Sequence, residues 1–407
     1  MRVLLSTIGS RGDVQPLVAL ALQLKVIGQE VHLCVPPDFR DWLDGLGLSV
    51  TPIGPEVRST GKASPAATII PTPEQRLKMM EGMVAMQFET ITKAAQGCDI
   101  IVAATALQIA ARSVAEKIGI PYVFTAYSPM VLPSAHHAPA PLPPLPGQAP
   151  LPATTDNHEL WARDTKRFND VFGAALNSLR ASKGLARISD VRNHMFTDRP
   201  WLAADPVLAP WPDPANEPVF QIGAWILPDA RPLSPELEAF LDAGEPPIYF
   251  GFGSTRAPAE ISQVMIQTAR VLGRRVIISQ GWADLSVVDN EPDCLVIGEV
   301  NLFALFKRVA AAVHHGGAGT TTLAARAGIP QVIIPQLYDQ HYWAQRVHHL
   351  GIGIAHATGT PTTDSLVNAL EHILQPDVTA SAQSIAGAVR SDGAQVAAQR
   401  LVTTAKA

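Results

Sequence analysis

Two open α/β domains, each built on a parallel sheet with helices on both faces, are the architecture this sequence predicts. Three observations carry the prediction. Short apolar runs alternate with longer stretches whose apolar residues recur at helical spacing. The alternation restarts after a proline-rich interruption. Glycine-rich turns follow directly on several of the apolar runs, as they do where strands of an α/β sheet hand over to helices. At 407 residues the chain also suits two domains of ordinary size better than one.

Taken in order, residues 3–6 read as the first strand, and 16–27 as a helix that Gly28 closes. Residues 31–35 form the next strand. Strands at 100–103 and 122–125 follow, with helical spacing at 107–118 between them. This strand–helix–strand rhythm is that of a parallel sheet covered on both faces. Pro206, Pro210, Pro212, Pro214 and Pro218 then mark a linker. Beyond it the strands resume at 248–251, 276–279, 295–297, 311–314 and 331–334. The expected division is 1–205, a linker at 206–218, a second domain at 219–385, and a C-terminal helix at 386–407 that packs back toward the first domain. Two such domains face a cleft, and ligands of open α/β sheets bind beyond the carboxyl ends of the strands.

Composition narrows the function. Hydrophobic residues make up 47% and charged residues 16%, which supplies a large core and excludes a disordered chain. Net charge is −5 with no basic stripe, so a nucleic-acid partner is not expected. Cys34, Cys98 and Cys294 are spaced for neither a metal site nor a disulfide framework, and reduced thiols in a cytoplasm fit them best. The run Val3-Leu4-Leu5 is too short for a signal peptide or a membrane span. Two stretches stand out as long loops: 58–73, rich in Ser, Thr, Ala and Pro, and 128–152, whose prolines are interspersed with Leu132, Leu142, Leu145 and Leu151. Their alternatives are surface excursions or an apolar wall for a ligand.

The sharpest motif is His314-His315-Gly316-Gly317-Ala318-Gly319-Thr320-Thr321-Thr322, between a strand and a helix. A glycine turn lets backbone N–H groups approach a phosphate, and the helix N-terminus favours an anion. The threonine hydroxyls and an imidazole can add donors. The plainer alternative is a tight turn with capping threonines, which the two adjacent histidines disfavour. The spacing is neither a dinucleotide fingerprint nor a P-loop. A second turn, Gly251-Phe252-Gly253-Ser254-Thr255, offers Ser254 as a phosphate donor or as a simple helix cap. The first turn runs Ile8-Gly9-Ser10-Arg11-Gly12-Asp13-Val14-Gln15-Pro16. Arg11 brings a guanidinium fork suited to phosphate. Asp13 is a carboxylate at a helix entrance, where capping is the commoner role.

Together these turns resemble the family 1 nucleotide-sugar glycosyltransferases of GT-B fold, across essentially the whole chain. Gly281-Trp282-Ala283-Asp284-Leu285, Ile297-Gly298-Glu299-Val300-Asn301 and Pro335-Gln336-Leu337-Tyr338-Asp339-Gln340-His341-Tyr342-Trp343 resemble the bacterial enzymes that decorate glycopeptides and polyketides. The opening 7–16 is similar to sterol glucosyltransferases as well, so sterol or lipid glucosylation is the alternative.

The resemblance implies a donor site in which His315, Gly317, Ala318, Gly319 and Thr320 bind the diphosphate of a UDP- or dTDP-sugar. Ser10, Arg11 and Ser254 assist. Val300 faces the nucleobase, and Asp339 and Gln340 bond sugar hydroxyls. It also implies inversion by direct attack of an acceptor hydroxyl. Plant members place a histidine base where this chain has Asp13, and a base-stacking tryptophan near the position of Gly298. Asp13 is the expected base, worth about 10²–10⁴-fold as general-base catalysis usually is. His315, Arg11 and the turn amides stabilise the leaving diphosphate in place of a metal. No cofactor or metal is expected. The expected partners are the nucleotide sugar and a small, apolar, hydroxylated acceptor bound by the first domain. A nucleotide-sugar epimerase and a non-catalytic nucleotide-sugar binder are the rivals. Acceptor-dependent release of nucleoside diphosphate separates transfer from both.

Overall fold

The computed structural model describes the chain apart from residues 59–71, 141–151, 153, 213–217, 256, 258–260, 287–288, 290, 358–359 and 405–407. Most of the first long loop, and residues 141–151 of the second with Leu142, Leu145 and Leu151, thus lie outside the described residues. Leu132, at the root of the second loop, is buried in the core and not part of a wall.

The described chain forms two compact units. The first contains β1 (Arg2–Thr7), β2 (Glu30–Val35), β3 (Ser49–Pro52), β4 (Ile100–Ala104), β5 (Tyr122–Ala126), β6 (Trp201–Leu202) and β7 (Phe220–Gln221). They lie in the order β3-β2-β1-β4-β5-β6-β7, and every pairing is parallel. The second unit contains β8 (Ile248–Gly251), β9 (Val276–Ser279), β10 (Cys294–Ile297), β11 (Ala311–His314), β12 (Gln331–Ile333) and β13 (Gly353–Ala355), in the order β10-β9-β8-β11-β12-β13 and again parallel. These are two Rossmann-like domains.

The burial pattern explains the long apolar runs. Phe250, Ile278, Val313 and Val332 point to one face of the second sheet and pack with Met265, Ile266, Leu366 and Leu370 of two covering helices. Tyr249, Ile277 and Ala312 alternate with them and pack with Leu237, Leu305, Phe306 and Ala324 on the other face. A strand buried on both sides has no polar face, hence no alternation in sequence.

Several elements differ from the sequence expectation. The first helix spans Arg11–Val26 and starts five residues before Pro16. Pro16 deprives the Gly12 carbonyl of its helical partner, but Gly12 is exposed and water can supply one. The helix expected at 107–118 begins at Ala111. Two long helices, Pro73–Ala94 and Asn157–Ser182, escaped notice although both carry start signals. Thr72 and Gln75 form a capping box with Pro73 at the first position, and Asp156 accepts the Glu159 N–H. β3 was missed because a four-residue edge strand with Ser, Thr and Pro has no periodicity to read.

The 206–218 span is divided between the units: 205–210 belongs to the second, whereas 211–227 returns to the first. β7 causes that return, since Phe220 pairs with Trp201 at the sheet's far edge. The helix Gly393–Thr404 also belongs to the first unit and packs on Arg11–Val26, while Pro376–Ala386 stays with the second.

Candidate functional site

Each sheet has one switch point, where the chain's outward progression reverses. In the second sheet it lies between β8 and β11, whose last residues Gly251 and His314 are in register. In the first it lies between β1 and β4, where Thr7 pairs with Ala104. Such points are where open α/β sheets leave a crevice for ligands. The turns expected to carry chemistry follow β1, β8 and β11.

In the second unit, β11 leads through His315, Gly316 and Gly317 into the helix Ala318–Ala327. Gly317 is its N-cap and provides no side-chain cap, so the first-turn amides of Ala318, Gly319 and Thr320 have no intrahelical acceptor. Thr321 and Thr322 do not help a ligand: their hydroxyls donate back to the Gly317 and Ala318 carbonyls, at 3.0 and 2.7 Å. Thr320 is the half-buried one of the three.

His315 lies in a pocket that only glycine allows. A Cβ on Gly317 would stand 2.5 Å from His315 Nε2, and one on Gly253 would stand 3.1 Å from His315 Cε1. Gly316 adopts φ +87° and packs against Ile333 and the Gln340 backbone. Burial pushes the His315 pKa down to about 4, against the opposing influence of the Gly251 backbone, so the ring is neutral at pH 7. His314 is fully buried. Its Nδ1 accepts the Gly316 N–H at 3.1 Å, which fixes the proton on Nε2 for donation to Gln331 Oε1 at 2.9 Å. The first histidine of the pair therefore shapes the turn, and the second sits between Gly253 and Gly317.

Around this turn, the Trp282 backbone N–H donates to the Gly253 carbonyl at 2.8 Å, joining the β8 and β9 turns. Ser254 is half-buried beside Gly253. Val300, after β10, packs against the apolar cluster of Ile277 and Ile297. Gln340 is buried; its carboxamide oxygen accepts the Gln336 and Leu337 amides at 2.8 and 3.0 Å, and its nitrogen lies 3.5 Å from Thr255 Oγ1. It organises the 336–340 loop. Asp339 accepts a hydrogen bond from Trp343 Nε1 at 3.0 Å, and burial raises its carboxyl pKa.

In the first unit, Ser10 caps the Arg11–Val26 helix, and Asp13 answers it: Asp13 Oδ2 accepts the Ser10 N–H at 2.6 Å and the Ser10 hydroxyl at 3.1 Å. The carboxylate folds back over Gly9, where any Cβ would collide with it. The Arg11 guanidinium stacks over Trp42, 3.4 Å from the ring centroid, while its Nε donates to Gln15 at 3.0 Å. Sequence reasoning gave no role to Trp42, nor to Thr105 and Tyr127, whose hydroxyls reach the carbonyls of Ile8 and Asp13. These partners come from remote parts of the chain and carry no motif.

Among the described residues no group of three or more His, Cys, Asp or Glu side chains is placed to hold a metal ion. No helix there is long and apolar enough to cross a membrane.

Comparison with known proteins agrees with this geometry. The N-terminal domain of glycosyltransferase family 28 matches residues 3–136, and the C-terminal domain of erythromycin biosynthesis protein CIII-like proteins matches residues 262–402. Glycosyltransferase GtfE of Amycolatopsis orientalis is 51% identical, over 98% of this chain and 97% of its own length. Vancomycin aglycone glucosyltransferase of the same organism is 48% identical, over 99% and 97%. The solved structure of glycosyltransferase VinC in complex with dTDP superposes with a TM-score of 0.70 at 20% identity, covering all of both chains. A likeness that remote speaks for the fold, while the Amycolatopsis relatives speak for the family. The chain belongs to the nucleotide-sugar-dependent glycosyltransferases of GT-B fold, in the group that includes vancomycin aglycone glucosyltransferase.

Proposed function

We propose that this enzyme transfers a sugar from a dTDP- or UDP-sugar to a hydroxyl of an antibiotic-type aglycone, with inversion and without a metal. The observation that carries the donor half is the uncapped first turn of the Ala318–Ala327 helix beside a neutral His315. Three free first-turn amides beside an imidazole suit a diphosphate, and they meet charge that grows as the diphosphate departs. Ser254 is a further donor to the diphosphate, Arg11 supplies a guanidinium for phosphate, and Ser10 lies in the turn that carries Arg11. Val300 borders the nucleobase. Asp339 takes the sugar hydroxyls, and Gln340 supports it by fixing the loop.

Asp13 is the base. An acceptor hydroxyl attacks the anomeric carbon as the bond to the diphosphate breaks, and its proton passes to the Asp13 carboxylate. The hydrogen bonds from Ser10 hold that carboxylate in one orientation, which is what a proton acceptor in the transition state requires. The names of the relatives favour a glycopeptide aglycone over a sterol as acceptor.

The test is release of nucleoside diphosphate from dTDP- and UDP-glucose with a glycopeptide aglycone, with a sterol, and with neither, each with and without EDTA. Release that requires the glycopeptide and survives EDTA supports the proposal. Release without acceptor, or with the sterol alone, would replace it.

A further inference from the structure

The turn that carries Asp13 is held at both ends by side chains from two other strands. Thr105 comes directly after β4, the neighbour of β1 at the switch point, and its hydroxyl donates to the Ile8 carbonyl at 3.3 Å. Tyr127 comes directly after β5, and its hydroxyl donates to the Asp13 carbonyl at 3.1 Å. Between these two anchors, Gly9 lets the Asp13 carboxylate close over the backbone onto the Ser10 N–H. The anchors therefore fix the first and last residues of the turn that sets where the carboxylate sits.

Thr105 pays for its place. It adopts φ +73°, the left-handed region, where a β-branched residue is a genuine outlier and is strained. Glycine would take that conformation with little strain. What threonine adds in return is a hydroxyl, within 3.4 Å of Thr7 Oγ1 and 3.3 Å of the Ile8 carbonyl. Tyr127 is held in turn by Trp225, edge to face at 6.2 Å between ring centroids, and burial together with the nearby Asp13 keeps its hydroxyl protonated as a donor.

We propose that Thr105 and Tyr127 are positioning residues which clamp the Ile8–Asp13 turn and so set the aim of the Asp13 carboxylate. The proposal rests on the reading of Asp13 as the base. Neither residue touches the reacting atoms in this account; both act through the backbone of the turn.

The experiment is steady-state kinetics and thermal melting of Thr105→Gly, Thr105→Ser, Tyr127→Phe and Asp13→Asn, with the first three also combined with Asp13→Asn. Thr105→Gly is expected to melt at or above the wild-type temperature while kcat falls about 10-fold, because a misplacement of about 1 Å can cost about 10²-fold and the turn keeps its second anchor. Donor KM stays unchanged, and Thr105→Ser recovers most of kcat. Tyr127→Phe is expected to lower kcat by a smaller factor and to move the acidic limb of the kcat–pH profile. In the Asp13→Asn background none of these changes costs further rate, since residues acting as a unit are non-additive. Thr105→Gly with wild-type kcat and a raised melting temperature, or Tyr127→Phe with wild-type kcat and pH profile, overturns the clamp while Asp13→Asn still loses turnover. An Asp13→Asn enzyme of full activity overturns the base reading and the clamp together.

Discussion

The turn after β11 and the turn after β1 both border the switch point of their sheet, on opposite sides of it, and they are held differently. After β11 the backbone does the shaping: Gly253 and Gly317 leave room for the His315 imidazole, Gly316 lets the turn pack on Ile333 and Gln340, and the first-turn amides of the next helix have no intrahelical acceptor. After β1 side chains do it: Asp13 answers Ser10, Arg11 lies on Trp42, and Thr105 and Tyr127 reach in from other strands. A diphosphate is a diffuse anion of fixed shape, well matched by a ring of amides. A proton acceptor must instead be one group at one place, and that calls for directional hydrogen bonds.

Glycine substitutions sharpen the contrast. Gly9→Ala forces the Asp13 carboxylate off the Ser10 amide. The expected result is a loss of about 10²-fold in kcat with nucleoside diphosphate affinity unchanged. Gly317→Ala forces His315 aside, and the expected result is nucleoside diphosphate binding weaker by about 10-fold, the worth of one good hydrogen bond. Calorimetry and turnover on both variants check the pair. Affinity lost in Gly9→Ala and kept in Gly317→Ala would reverse the assignment of the two turns.

A smaller effect separates the turns by pH. Burial lowers the His314 pKa to about 3 from the ordinary 6.5. Below pH 6.5 the unfolded chain gains a proton at this site that the folded chain refuses. Stability is therefore full above about pH 6.5 and declines as pH falls toward 3, by at most about 1.4 kcal/mol per pH unit from this group. His315 acts in the same direction down to about pH 4. Urea midpoints of wild type and His314→Asn at pH 7 and pH 5.5 test this; the variant is expected to lose less stability between the two. An equal loss would mean that His314 does not contribute the slope.

The same contrast explains what could be read from the sequence. The central strands were legible because two-sided burial makes them continuous apolar runs, whereas the short strands β3, β6, β7 and β13 were not; the β11 turn was legible because backbone shaping requires glycines at fixed places. Asp13 could be picked out beside Gly9 and Ser10, but its supports could not. Thr105 and Tyr127 sit 92 and 114 residues away in the chain and act through single hydroxyls, and a positive φ at a threonine leaves no trace in a sequence. Gln340 shows the converse: the motif was plain, yet its carboxamide oxygen turned out to serve the Gln336 and Leu337 amides. The helix Pro73–Ala94 begins where the expected 58–73 loop ends, and Thr72, Pro73 and Gln75 spell its start.

The central claim is that donor capture and proton removal belong to different turns and can be lost separately. Calorimetric titration of dTDP and UDP into wild type, His315→Ala and Asp13→Asn, alongside kcat for each, tests it most directly. The account predicts that His315→Ala binds the preferred diphosphate at least about 10-fold more weakly. It predicts that Asp13→Asn binds it as the wild type does while kcat falls by about 10²-fold or more. Wild-type diphosphate affinity in His315→Ala, or full turnover in Asp13→Asn, would contradict it.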